Sequence, residues 1–131
     1  MNDITLGATE NQIRRQYPQA NCRPLEWPTH AADRRCDDSR INLANLNAAV
    51  TFYLKKDSVE GFDVRFEKSV APAMRKFLLE RYGKPLPGAT ESTVEWKANG
   101  EHARLTVEDS RRRASLFVWR GTFEDEIYKV R

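Results

Sequence analysis

One stretch, residues 48–67 (AAVTFYLKKDSVEGFDVRFE), limits what this chain can fold into more than any other. Val50, Phe52 and Leu54 alternate with Thr51, Tyr53 and Lys55. After a polar break, Phe62, Val64 and Phe66 alternate with Asp63, Arg65 and Glu67. Strict period-two alternation describes a β-strand with one buried and one wet face. Two such runs around Asp57-Ser58 predict a hairpin. Val59 is out of step with Phe62, and Gly61 lies between them; a glycine at such a phase change predicts a bulge.

A second hairpin follows the same logic. Val94, Trp96 and Ala98 alternate with Thr93, Glu95 and Lys97. Ala103, Leu105 and Val107 return inward, with His102, Arg104, Thr106 and Glu108 outward. Asn99-Gly100 joins them, and a type I′ turn needs positive φ at both central positions. The run 114–120 is apolar on both sides, through Leu116/Val118 and Phe117/Trp119. That pattern requires a central strand or one covered on its second face.

Helices are expected in three places. After an extended lead-in at Ile4 and Leu6, Thr9 with Gln12 forms a capping box; Ile13 and Tyr17 follow on one face, and Pro18 ends the helix. A second helix, capped by Ser69, carries the stripe Val70, Met74, Phe77, Leu78 and Tyr82 and stops at Gly83 and Pro85. A short terminal helix starts at Thr122, with Phe123, Ile127 and Val130 on one side. Residues 19–40 carry prolines and no clear period and are read as an irregular loop, with Trp27 packing over the core edge. Arg40 to Leu43 is read as a short edge strand. The fold class is therefore α+β: one antiparallel sheet with two main helices on one face, as a single domain over 1–131. The order helix, loop, strands recurs, so 1–67 and 68–131 are candidate halves of a tandem α-β-β-β duplication.

Cys22 and Cys36 bracket the irregular stretch. A bridge closing about 15 residues would add roughly 3 kcal/mol in the chain-entropy model, and it would imply an oxidising compartment. Two reduced, buried thiols are the alternative. Met1 is followed at once by polar Asn2 and Asp3, so no export segment is visible; an oxidising compartment would imply a mature chain, and the other expectation is a cytoplasmic one. No stretch approaches the ~20 apolar residues of a membrane-spanning helix.

The residues also narrow the function classes. His30 and His102 fall in a loop and in a hairpin strand, and a Cys/His nucleophile pair would need a free thiol. The two cysteines and two histidines lack zinc-site spacing. The expectation is no enzyme, no cofactor and no metal. Charge is 22 basic against 19 acidic residues, with fifteen arginines among the basic ones. Arg14-Arg15, Arg34-Arg35 and Arg111-Arg112-Arg113, with Tyr53, Phe117 or Trp119 stacking on bases, would make a nucleic-acid footprint. Against it, Lys55, Asp63, Arg65, Glu67, Glu95, Lys97, Arg104 and Glu108 alternate in sign on the outer face. That pattern favours cross-strand ion pairs over phosphate tracking. A protein partner is the leading expectation, met by the outer sheet face around Tyr53, Arg65, Arg104 and Trp119, since aromatic and Arg side chains dominate interface energetics.

Leu6-Gly7-Ala8-Thr9 before a helix, a Cys loop, Val50-Thr51-Phe52-x-Leu54 in a hairpin, and Arg81-Tyr82-Gly83-Lys84-Pro85 ending a second helix form a recognisable succession. In it the chain resembles small exported bacterial proteins of the β-lactamase-inhibitor-protein-like class and, in single-unit form, the outer-membrane-assembly lipoprotein. The resemblance implies secreted or periplasmic life and protein binding through an open sheet face. It carries over no individual functional residue. The chain has no lipobox-type cysteine near Met1, so a lipid anchor is not expected.

Overall fold

In the structure, a computed structural model, residues 6–43 and 45–129 are described. Ile4 and Val130, assigned above to a lead-in and to the last helix, lie outside that set. Seven strands form one antiparallel sheet in the order β1-β2-β3-β4-β7-β6-β5: β1 (Asn21–Pro24), β2 (Arg34–Leu43), β3 (Leu46–Lys55), β4 (Ser58–Glu67), β5 (Thr93–Ala98), β6 (Glu101–Thr106) and β7 (Arg113–Arg120). The helices are α1 (Glu10–Gln16), α2 (Ala71–Tyr82) and α3 (Phe123–Glu126). No helix among the described residues is long and apolar enough to cross a membrane.

The 48–67 hairpin is the β3–β4 pair, near the middle of the sheet. Its tight turn is Lys56–Asp57, one residue earlier than expected, with φ of 49° and 61°. The bulge is present: Tyr53 pairs with Gly61 and Leu54 with Val59, which leaves Glu60 extra. Asn99 and Gly100 take φ of 55° and 81°, as the I′ turn requires. β7 lies between β4 and β6, and its second apolar side, Phe117 and Trp119, is covered by Phe123 of α3 and by Ala31 and Ala32, so both expectations for this strand are met.

One face of the sheet carries the main core. Val50, Phe52, Leu54, Phe62, Val64, Phe66, Trp96 and Leu116 meet Ile13 of α1, Tyr17 just after it, and Met74 and Leu78 of α2. The Thr9–Gln12 capping box forms as expected. Glu10 accepts hydrogen bonds from Arg34 and Arg14, which tie α1 to β2. At α2 the expected Ser69 cap is replaced by a 3-10 turn, Lys68–Val70, without a side-chain cap. The far end of α2 is fixed by Trp96 Nε1, which donates to the Gly83 carbonyl at 3.0 Å. Thr122 likewise gives no side-chain cap to α3.

The irregular-loop reading of 19–40 is corrected. Residues 21–24 and 34–43 are strands; β2 is ten residues long rather than four, with Arg34–Asp37 covered by β1 and only Ile41–Leu43 an edge paired to β3 alone. Cys22 and Cys36 are directly cross-strand and disulfide-bonded. Period-two patterning is hidden here because Asp38, 7% exposed, occupies an inward position and Ser39–Arg40 bulge out of register. Trp27, expected over the core, is 70% exposed; Leu25, two residues earlier, packs instead against the small cluster of Ala31, Ala32, Trp119 and Phe123.

Each sheet edge carries a local feature that limits further pairing. Beside β5, the Leu86 N–H donates to the Glu95 carbonyl. β1 is four residues long and ends in Pro24. Beyond β1, Asp38 Oδ1 takes the Arg40 N–H at 3.0 Å.

Candidate functional site

The outer face of the sheet is a grid, and register places its side chains in rows. One row runs Arg35, Tyr53, Gly61, Trp119, His102, Lys97. The next runs Asp37, Thr51, Asp63, Phe117, Arg104, Glu95, and the third runs Ala49, Arg65, Ser115, Thr106, Thr93. Glu67 and Arg113 begin a fourth.

The first row is closed. Gly61 has no side chain, and the Phe123 ring of α3 sits in the gap; a Cβ on Gly61 would lie 2.8 Å from that ring. Phe123 packs between Tyr53 and Phe117, with ring centroids 5.8 and 5.7 Å away. Ala31 and Ala32, in the segment between β1 and β2, complete this second small core with Trp119. That segment is held by its own bonds: the His30 N–H donates to the Lys129 carbonyl and Lys55 Nζ to the His30 carbonyl.

The four expected contact residues therefore part company. Trp119 is 5% exposed and stacks between His102 and Phe117, at 5.0 and 4.9 Å. Tyr53 is half-buried, and burial raises its pKa above the usual tyrosine value. Arg104 lies 4.9 Å over the Trp119 ring and pairs with Glu95 at 2.7 Å and with Glu124 of α3. Tyr53, Arg104 and Trp119 thus belong to the closed end, where Arg104 clamps α3 down. Arg65 stands on the open end.

A polar relay crosses that open end. Thr51, 1% exposed, donates to Asp37 at 2.6 Å and accepts from Arg65 at 3.3 Å. Arg65 also pairs with Asp63, and Asp37 with Arg23 and Arg35. Burial pushes the Asp37 carboxyl up, but hydrogen bonds from Arg35, Thr51 and Arg23 outweigh it and hold the pKa at about 2, against 3.8 ordinarily. A depressed carboxylate stabilises the fold above its unfolded pKa, and that contribution is lost as pH falls through the folded value. With allowance for solvent screening it amounts to about 1–2 kcal/mol. Denaturant titrations of the parent chain and Asp37→Asn should differ by about that amount at pH 6 and converge by about pH 2. A pH-independent gap between the two would refute this assignment.

Beside the relay the face is concave. A hollow of about 530 Å³ is lined by Arg40, Asn42, Asn47, Ala49, Arg65 and Arg113, among others. A second of about 360 Å³ continues from Arg65 and Arg113 to Thr106, Glu108 and Arg111. Ala49, 7% exposed, is the floor of the first. Arg111 pairs with Glu108. Arg40 and Arg113 make no side-chain hydrogen bond or ion pair among the described residues.

Chemistry that needs a free thiol is removed by the disulfide. Glu10 lies close to Cys22 and Cys36, but the sulfurs are bonded to each other and Glu10 is engaged by two arginines. His30 and His102 are separately engaged, one near Glu126 and one on the Trp119 ring. Comparison with protein-family models, curated proteins and solved structures finds no match.

Arg40 and Arg113 carry no mark in the sequence that separates them from thirteen other arginines; only the sheet register brings them beside Arg65. Tyr128, 86% exposed next to the 25–33 segment, also escaped notice. Its i+4 spacing from Glu124 rather than Phe123 was the available signal that it faces away from the apolar side.

Proposed function

We propose that this chain is a non-enzymatic binding module of an oxidising compartment, periplasmic or secreted, which meets a protein partner with the open end of its outer sheet face. The observation that carries the reading is the asymmetry of that face. α3 and the 25–33 segment close one end around Trp119 and Phe123, while the rows of Arg65, Ser115 and Thr106 bound open hollows. The disulfide supports the compartment. The resemblance to β-lactamase-inhibitor-protein-like exported proteins points the same way.

The arginine clusters support a protein rather than a nucleic-acid partner. Arg14 and Arg34 share Glu10, Arg35 binds Asp37 and Arg111 binds Glu108. Four of the seven clustered arginines are thus neutralised within the chain, which shortens any continuous positive surface that could release counterions from a phosphate backbone. The layout also supports an origin in two α-β-β-β units, since α1 with β2–β4 and α2 with β5–β7 run towards a shared β4–β7 seam.

A photo-crosslinking side chain at Thr106, on the open end, should trap one discrete species in extracts of the native compartment. The same probe at Glu80, on the exposed side of α2, should trap none. Arg65→Ala should reduce the trapped amount about tenfold, as loss of an interface hot spot does. Equal trapping at both positions, or none at Thr106, would refute the reading.

A further inference from the structure

The open end has more definition than a flat polar surface, and its chemistry narrows what it takes. The first hollow spans β2, β3, β4 and β7. Three inter-strand steps cover about 14 Å, the length of about four extended residues. A single small anion would fill one part of it. Along this length stand Arg40 on β2, Arg65 on β4 and Arg113 on β7, so guanidinium groups recur from one end to the other. A guanidinium presents a planar fork that matches a carboxylate with two parallel hydrogen bonds. Asn42 and Asn47 offer amide groups that can both donate to and accept from a peptide backbone.

The charge count selects among anionic partners. Arg65 is paired with Asp63. That leaves Arg40 and Arg113 as unpaired positive charges and Glu67, beside Arg113, as a negative one. A net single positive charge suits one or two carboxylates. It does not suit a nucleic-acid strand, whose phosphates would meet Glu67, Asp63 and Glu108 in turn.

We infer that the hollow over Ala49 is a docking groove for an extended, carboxylate-bearing peptide segment of a partner protein, with Arg40 and Arg113 each gripping one carboxylate. The inference rests on the proposed use of this face and adds the chemical class of what is read there. Occupancy leaves the Thr51–Asp37–Arg65 relay intact, because Arg40 and Arg113 take no part in it.

The test uses a fluorescein-labelled six-residue peptide, two glutamates four positions apart among glycines and serines, and fluorescence polarisation at low and at physiological salt. The parent chain should bind it saturably, with affinity falling as salt rises. Arg40→Ala/Arg113→Ala should weaken binding at least tenfold, with an unchanged thermal melt. Arg40→Lys/Arg113→Lys should recover only part of the loss, since the charge returns without the fork. Hexathymidylate and sulfate should compete weakly. No saturable binding of the two-glutamate peptide, equal affinity for the double Ala variant, or stronger competition by hexathymidylate would each overturn the inference. Trapping at Thr106 that persists while the peptide fails to bind would overturn this inference alone; loss of both would overturn the proposed function as well.

Discussion

A Cys22→Ala/Cys36→Ala variant is expected to lose about 3 kcal/mol of stability, which lowers the melting temperature by on the order of 10 °C. The two cysteines face each other across β1 and β2, fourteen positions apart in sequence. The bridge holds a four-residue strand with little apolar area of its own: Cys22 and Arg23 are flanked by Asn21 and Pro24, and only Cys22 is partly covered. Without it the unfolded chain regains the freedom of a loop of about 15 residues. β1 then has four ladder positions and the Arg23–Asp37 ion pair at 2.7 Å to hold it, and an exposed pair of that kind contributes well under about 1 kcal/mol. The loss should therefore be local as well as global. Amide exchange should accelerate first in residues 21–37 and only later in β4 and β7. The same acceleration should follow reduction of the parent chain. A double variant that melts with the parent would show that β1 is held by something other than the bridge.

Gly61→Val is expected to cost about 2–3 kcal/mol, the worth of one buried Phe side chain returned to water. The added side chain has nowhere to go. Even its Cβ would lie 2.8 Å from the Phe123 ring, and the backbone at Gly61 is fixed by pairing with both Tyr53 and Trp119. The ring must leave, and a four-residue helix has no other anchor of that size. Trp119, Phe117 and one side of Tyr53 would then meet solvent. Trp96 stays buried in the main core and Trp27 is exposed already, so a red shift in tryptophan emission would report on Trp119. The expected result is that shift, a lower melting point, and an unchanged far-ultraviolet signature of the sheet. Gly61→Val with parental emission and melting would mean that α3 is not seated as described.

Much of the sheet was legible before any coordinates. Alternation is a local signal, and in 50–67, 94–107 and 114–119 nearly every inward position is apolar. Glycine and asparagine at positive φ marked the second hairpin turn. The stripe of α2 and its stop at Gly83 were equally plain. β1 and β2 were not. Arg34, Arg35, Asp37, Asp38, Ser39 and Arg40 form a run that looks like solvent-loving loop, because here a disulfide and an inward Asp38 replace the usual apolar partners. The candidate site was half legible. Which side chains face outward follows from alternation. Which of them are covered depends on Gly61, Tyr53 and Trp119 falling in one row, and that row joins strands distant in sequence. The sequence supplied the bulge at Gly61 but not the ring that fills it.

The sheet edges have a further consequence. Sheets enlarge by adding strands, and an unprotected border recruits any extended chain through its backbone, with little regard for side chains. Here a lent N–H from Leu86, a proline at the end of β1 and the self-bonded Asp38–Arg40 turn each take one position where an incoming strand would bond. Association through side chains on the face is discriminating in a way that backbone zippering is not. Any chain that met the face through side chains would have to match the sizes and charges of the grid. These features lower the tendency of the seven-stranded sheet to grow by edge pairing.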